Sequence, residues 1–249
     1  MSSNQPWSEQ AINKVAEIAI ATQIKTTESL KVNIKTDLNK LAKGQLDSIA
    51  IRLNGFLMDH ELKADEFYLQ IGQVTVKPLS AMRGNIRLVH PSEGSLSLTI
   101  HQDCFTAALA AALLKPKGSS ETSKLRSQSS EQALGTDAIA AIRCLFADGA
   151  VTFAAEVPRE GTSQSTSFTA APQITPTGRG VSWENVGYLE GEEPWPQFTQ
   201  QVLAKVDELL SLQGFERQGT SFTVQQIALA DGLLTIQARA DIQQFPSAS

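Results

Sequence analysis

The chain has 249 residues, 41% of them hydrophobic and 6% aromatic, with 21 basic and 26 acidic side chains and a formal net charge of −5. Its hydrophobic fraction is too high for a disordered chain, and its length is ample for a real core. A pI near 5.3 argues against nucleic acid as a partner, because phosphate binding needs a basic face.

Two cysteines, Cys104 and Cys144, are too few for a disulfide scaffold or a cysteine-rich metal site. The opening Met1-Ser2-Ser3-Asn4-Gln5-Pro6-Trp7 carries no basic region followed by an apolar one, so no export signal is read there. The longest apolar run, Ala107 to Leu114, is eight residues, far below the roughly 20 that cross a bilayer as a helix. No lipidation motif is present. The expected location is cytoplasmic, with membrane contact, if made, from the surface.

Segment 7–24 reads as an amphipathic helix. Ser8 stands as its N-cap, and Ala11, Ile12, Val15, Ile18, Ala19 and Thr22 recur at spacings of three and four. Gln10, Asn13, Lys14, Glu17 and Gln23 form the opposite, polar side. Packing on a core is the expected use, since basic residues are too sparse for a membrane-surface helix.

From residue 29 the period changes to two. Leu30, Val32 and Ile34 alternate with polar residues, then Ile49, Ile51 and Leu53, then Phe67, Leu69 and Ile71, then Leu96, Leu98 and Ile100. Each run is a strand with one buried and one wet face. The phase slips at Gly72, before Val74 and Val76, which marks a bulge or bend. No strand–helix–strand alternation appears, so an antiparallel meander is expected rather than a parallel sheet.

A second helix is read at about 102–115, with Phe105, Ala108, Leu109, Ala112 and Leu113 on one stripe and Asp103 in the first turn. Lys117 to Thr136 is polar and locally basic, and reads as a mobile loop, with contact to lipid headgroups as the sharper alternative. Asp148-Gly149 predicts a hairpin between a strand near 142–146 and one carrying Val151, Phe153, Ala155 and Val157. Prolines and glycines across 158–180 predict short strands. Pro196 opens a third helix carrying Phe198, Val202, Val206, Leu209 and Leu210, with Gly214 as its stop. Two strands joined through Asp231-Gly232 close the chain. The class is α+β.

No catalytic constellation is present. There is no Gly-rich phosphate loop, no His-Glu-x-x-His and no Gly-x-Ser-x-Gly. His60, His90 and His101 are scattered, and Cys104 near His101 reads as a small core residue rather than a nucleophile. Asp59-His60-Glu61 with Asp65-Glu66, and Glu190-Gly191-Glu192-Glu193, read as solvated acidic turns, not metal sites. No catalytic residue, metal or cofactor is therefore assigned. An aliphatic interior with few aromatics is either a solid core or the lining of an acyl-chain cavity, which needs dispersion contacts and no directional polar groups.

Several stretches together resemble one family. Lys43-Gly44-Gln45-Leu46-Asp47-Ser48-Ile49-Ala50-Ile51 resembles the L-x-x-G-x-(I/V)-D-x-(V/I)-x-(V/I) segment of the LmeA-like phospholipid-binding proteins, formerly a domain of unknown function. Asp65-Glu66-Phe67-Tyr68-Leu69, Ala81-Met82-Arg83-Gly84-Asn85-Ile86-Arg87-Leu88 and Leu98-Thr99-Ile100-His101-Gln102-Asp103-Cys104-Phe105 are similar to three further segments in the same order. The closing hairpin from Gly219 to Asp241 also fits. Members of this type from photosynthetic bacteria lack an export signal. The resemblance implies a single domain over 1–249, an elongated, strongly curved antiparallel sheet or barrel wrapped on helices, as in tubular lipid-binding modules, and phospholipid as ligand. It offers no catalytic residues.

On that reading the cavity lining is Ile49, Ile51, Leu53, Phe67, Leu69, Ile71, Leu96, Leu98 and Ile100 from the sheet. The helices would add Ile12, Val15, Ile18, Leu109, Leu113, Val202, Val206 and Leu209 on its concave side. The function expected is non-enzymatic binding of phospholipid, with transfer as its extension, at a membrane surface and without nucleic acid. The alternative is a solid-core interaction or scaffold module. Oligomeric state is not legible.

Overall fold

A computed structural model describes residues 13–14, 16–18, 21, 26–58, 61–76, 87–114, 141–159, 162–189, 195–216 and 219–244. The polar segment 117–136, the acidic turns at 59–60 and 190–193, and Ile12 and Val15 lie outside them.

The strands are β1 (Ser29–Lys35), β2 (Gln45–Leu46), β3 (Ser48–Leu57), β4 (Lys63–Ile71), β5 (Val74–Thr75) and β6 (Arg87–His101) in the first half. The second half holds β7 (Ala141–Ala147), β8 (Ala150–Arg159), β9 (Thr162–Ile174), β10 (Val181–Tyr188), β11 (Thr220–Ala230) and β12 (Leu233–Gln244). Helices are α1 (Leu38–Ala42), α2 (Gln102–Leu114) and α3 (Pro196–Leu209), and the described residues among 13–21 are also helical. A six-stranded sheet runs β1-β3-β4-β6-β12-β11 and a four-stranded sheet runs β10-β9-β8-β7, every pair antiparallel; β2 and β5 form a small ribbon. The protein is α+β and mostly antiparallel strand.

The turns follow the sequence signals. Asp148-Gly149 and Asp231-Gly232 both carry positive φ at the two central positions (51° and 74°, 53° and 75°), the geometry that matches the twist of a two-residue hairpin. At Gly72 the chain leaves β4, and its N–H donates to the Glu93 carbonyl at 3.0 Å before β5 begins.

Three expectations are corrected. The sheets are not closed into a barrel: β1 and β11, the outer strands of the larger sheet, do not pair with each other. The strands of 158–180 are not short, because β9 has 13 residues. Pro172 lies past the last β8–β9 pair, Val151 with Ala170, where a missing N–H breaks no ladder. Gly214 does not stop α3; Leu210 caps the helix and Gly214 sits in a 3-10 turn over Leu212–Phe215.

Helix α2 touches β4 and β6 of the larger sheet, β7 of the smaller one, and α3. β11 touches β7 and β9, so the two sheets meet along that strand. Gly178, in the β9–β10 turn with φ +68°, makes this approach: its carbonyl accepts from Val224 N–H at 2.7 Å, and a Cβ there would come within 2.6 Å of Thr223 Cγ2. Leu109, fully buried on α2, belongs to the common core. Leu109→Ala is expected to cost about 3 kcal/mol from lost contacts and a residual cavity, and Leu109→Asp to leave no folded protein; urea denaturation of the two variants checks both.

Candidate functional site

The register of the six-stranded sheet assembles the expected lining. Residues directly opposite in an antiparallel pair share a face. One row runs Val32, Ile51, Leu69, Leu96, Ala238, Val224 across all six strands. The row on one side runs Ile34, Ile49, Ile71, Gly94, Ala240, Phe222; the row on the other runs Leu30, Leu53, Phe67, Leu98, Ile236, Ile227. Ile100 continues beside them, opposite Leu234. All nine sheet residues expected to line a cavity therefore lie on one aliphatic face. Leu109, Leu113, Val202, Val206 and Leu209 are buried in the same cluster.

Burial across this face is uneven. Val32, Ile49, Leu53, Phe67, Ile71, Leu96 and Leu98 are between 0 and 7% exposed. Ile51 and Leu69, neighbours in the middle row, are only partly buried, and so is Leu30 on β1. Ile227, in the outer row on β11, is partly buried as well.

Ile18 departs from expectation: it is 60% exposed and does not face the sheet. The residues that do are those assigned to the polar side. Asn13 Oδ1 accepts from the Ile34 N–H at 2.8 Å and Glu17 Oε1 from the Val32 N–H at 3.2 Å, with Ala16 packed on the core. The outward N–H groups of an edge strand need acceptors, and Asn13 and Glu17 supply them. Sequence reasoning missed these two residues. The signal available was a pair of acceptors one helical turn apart, whose rise of about 6 Å matches every second residue of a strand.

The smaller sheet is filled by rings. Phe153 stacks on Phe168 with centroids 4.9 Å apart, Phe198 meets Phe168 edge-on at 6.2 Å, and Trp195 stacks on Phe198 at 5.4 Å. Trp183 Nε1 donates to Asp207 Oδ1 at 2.8 Å.

Nucleophilic chemistry finds no support. Burial pushes the Cys144 thiol up to about 12, partly offset by a hydrogen bond with Thr106, so it stays protonated. Burial and the nearby Asp65 carboxylate also raise Cys104. His101 Nδ1 accepts from the Asp103 N–H at 3.2 Å and lies 3.5 Å from Asp103 Oδ2, turned to that residue. Among the described residues no group of three or more His, Cys, Asp or Glu side chains is placed to hold a metal, and no helix is long and apolar enough to cross a membrane.

The fold is thus two open antiparallel sheets that meet along one strand, with an aliphatic face on the larger one against which α2 packs. The model of the LmeA-like phospholipid-binding family matches residues 7–239, nearly the whole chain, and the protein belongs to that family. No curated protein and no solved structure matches it.

Burial raises the pKa of Asp207 above its ordinary 3.8, against the smaller opposite effect of the Trp183 hydrogen bond. The folded chain thus holds this proton more tightly than the unfolded one, and ionisation works against the fold as pH rises past 3.8. Asp207→Asn, whose amide oxygen still accepts from Trp183, is expected to raise the urea midpoint at neutral pH. The gain should vanish below pH 3.8, where both states of the parent are protonated. Equal midpoints at neutral pH would contradict this.

Proposed function

We propose that the protein binds phospholipid without reacting with it, laying acyl chains along the aliphatic face of a curved six-stranded sheet, beneath the helices, and exchanging them at a membrane surface. The whole chain acts as one lipid-binding unit in this reading. The observation that carries it is the adjoining trio Leu30, Ile51 and Leu69, which stay partly exposed on a mostly buried apolar face and would form a window in it. Each apolar side chain left in water forgoes about 25 cal/mol per Å² of burial. A hydrocarbon chain against this window would recover that energy with no polar partner, as acyl binding requires. Membership of a phospholipid-binding family supports the ligand class, and the protonated, buried thiol of Cys144 gives no support to catalysis.

The test pairs two measurements on one set of proteins. Native mass spectrometry of the purified parent should show co-purifying phospholipid at a fixed stoichiometry. Ile51→Trp with Leu69→Trp fills the window and should abolish that binding while leaving the melting temperature nearly unchanged. Leu98→Trp, at a fully buried position of the neighbouring row, should instead cost roughly 1–3 kcal/mol, as overpacking does. A parent that carries no lipid and takes none from vesicles, with both Trp variants equally destabilised, would mean a filled interior and a scaffold role.

A further inference from the structure

The outer face of the strand pair β1–β3 carries like charges where a sheet gains from opposite ones. On β1 the exposed Lys31 and Lys35 alternate with the buried Val32 and Ile34, and Lys31 stands directly opposite the exposed Arg52 of β3. Like charges at directly opposed positions lie about 5 Å apart and work against the pairing. Beyond Lys35 the chain enters α1, which adds Lys40 and ends on the exposed Lys43 as its C-cap.

Nearby acids do not cancel this group. Arg52 is held by Glu66 at 3.0 Å and lies over the Tyr68 ring, while Lys40 takes Asp47 at 2.7 Å and Asp37 at 3.9 Å. Lys31, Lys35 and Lys43 make no ion pair among the described residues. The surplus is positive, on a chain whose net charge is −5. Lysines commonly guard an outer strand against pairing with other chains. Here that edge is already covered, because Glu17 and Asn13 accept from the N–H groups of Val32 and Ile34. The reverse side of the same two strands carries Leu30 and Ile51, each one residue from a member of the basic group. A partner drawn to the lysines therefore meets the margin of the sheet that bears the aliphatic trio. An acidic protein would satisfy the charges alone, whereas an anionic bilayer satisfies both faces.

We infer that the outer face of β1–β3, with α1 beside it, is the membrane-docking surface, and that it selects bilayers bearing anionic phospholipid headgroups. The proposal rests on the binding reading above and adds which side of the molecule meets the bilayer and what charge that bilayer carries. Ammonium groups on flexible stems suit phosphates spread over a fluid surface, which present no fixed fork for an arginine to match. An anionic leaflet attracts each such group by about 1 kcal/mol, roughly fivefold in affinity, and only within a Debye length.

Sedimentation of the full chain with vesicles tests it, phosphatidylcholine alone against phosphatidylcholine mixed with phosphatidylglycerol. The parent should bind the mixed vesicles more tightly, and added salt should erase the difference. Lys31→Gln with Lys35→Gln and Lys43→Gln should weaken binding to the mixed vesicles roughly a hundredfold, the product of about fivefold for each charge lost. Arg143→Gln with Arg179→Gln, exposed cations of β7 and the β9–β10 turn, should leave it unchanged. The melting temperature of the triple variant should not fall, since Lys31→Gln removes a like charge opposite Arg52. Its co-purifying phospholipid, read by native mass spectrometry, should match the parent's, because the lysines do not share a face with Leu30 and Ile51. A parent indifferent to phosphatidylglycerol, or a triple variant that docks as well as the parent, would overturn the docking surface and leave lipid binding intact. Lysine-dependent docking by a parent that never carries lipid would keep the surface and overturn the binding reading instead.

Discussion

An open antiparallel sheet leaves a row of backbone N–H groups unpaired along each outer strand, and every one that is shielded from water must find an acceptor. Two open sheets have four such edges, and their treatment sets where everything else lies. β1 is closed by Asn13 and Glu17, β7 by Gln102 and Thr106, and β11 by Glu216, which accepts from Phe222 N–H at 3.0 Å, together with the Gly178 carbonyl. β10 is handled differently: its register with β9 shifts between Glu184 and Gly187, where Asn185 has φ +52°, so it presents no regular ladder. Because two edges are covered by helices and one by a turn of the other sheet, neither sheet has a free strand with which to close. The open architecture follows from the caps.

The caps also decide which side of each sheet is dry. α2 can reach β7 with Gln102 and Thr106 only by lying across the inner faces, and there its Leu109 and Leu113 meet β4 and β6. Register does the rest. Since a slip of one residue would turn every aliphatic of a strand to the wet side, the Ile49–Ile71 and Leu53–Phe67 pairings hold these aliphatics on one face.

Much of this was legible in the residues. Alternation located β1, β3, β4, the C-terminal part of β6 and β12; the two Asp-Gly pairs located the hairpins; and Pro196 located the start of α3. These are local signals with local causes. What was not legible depended on partners far along the chain. Pro172 looked like a strand breaker, yet it falls where β8 has no further partner for it, which only the register reveals. The apolar stripe of the first helix predicted that Ile18 would face inward. An unpaired strand edge instead recruits Asn13 and Glu17, and no periodicity within the helix can report the needs of a strand some twenty residues on. That the nine sheet residues share one face was readable, because parity fixes a face. The uneven burial among them was not, because it depends on what covers the sheet.

The distribution of rings explains why that unevenness falls where it does. Phe153, Phe168, Trp183, Trp195 and Phe198 converge on the smaller sheet, and rigid rings with several mutual contacts fill space with little freedom to adjust. The three central rows of the larger sheet carry two, Phe67 and Phe222, among aliphatics and small residues such as Gly94, Ala238 and Ala240. Aliphatic side chains rearrange at low cost and match a hydrocarbon chain in polarisability. One half of the molecule is thus built as a solid wedge that fixes α2 and α3. The other half is an aliphatic face that α2 meets at β4 and β6. A polar chemistry would need the reverse arrangement, with rigid packing around convergent charged groups, whereas a ligand recognised by dispersion alone needs adaptable walls and a rigid support behind them.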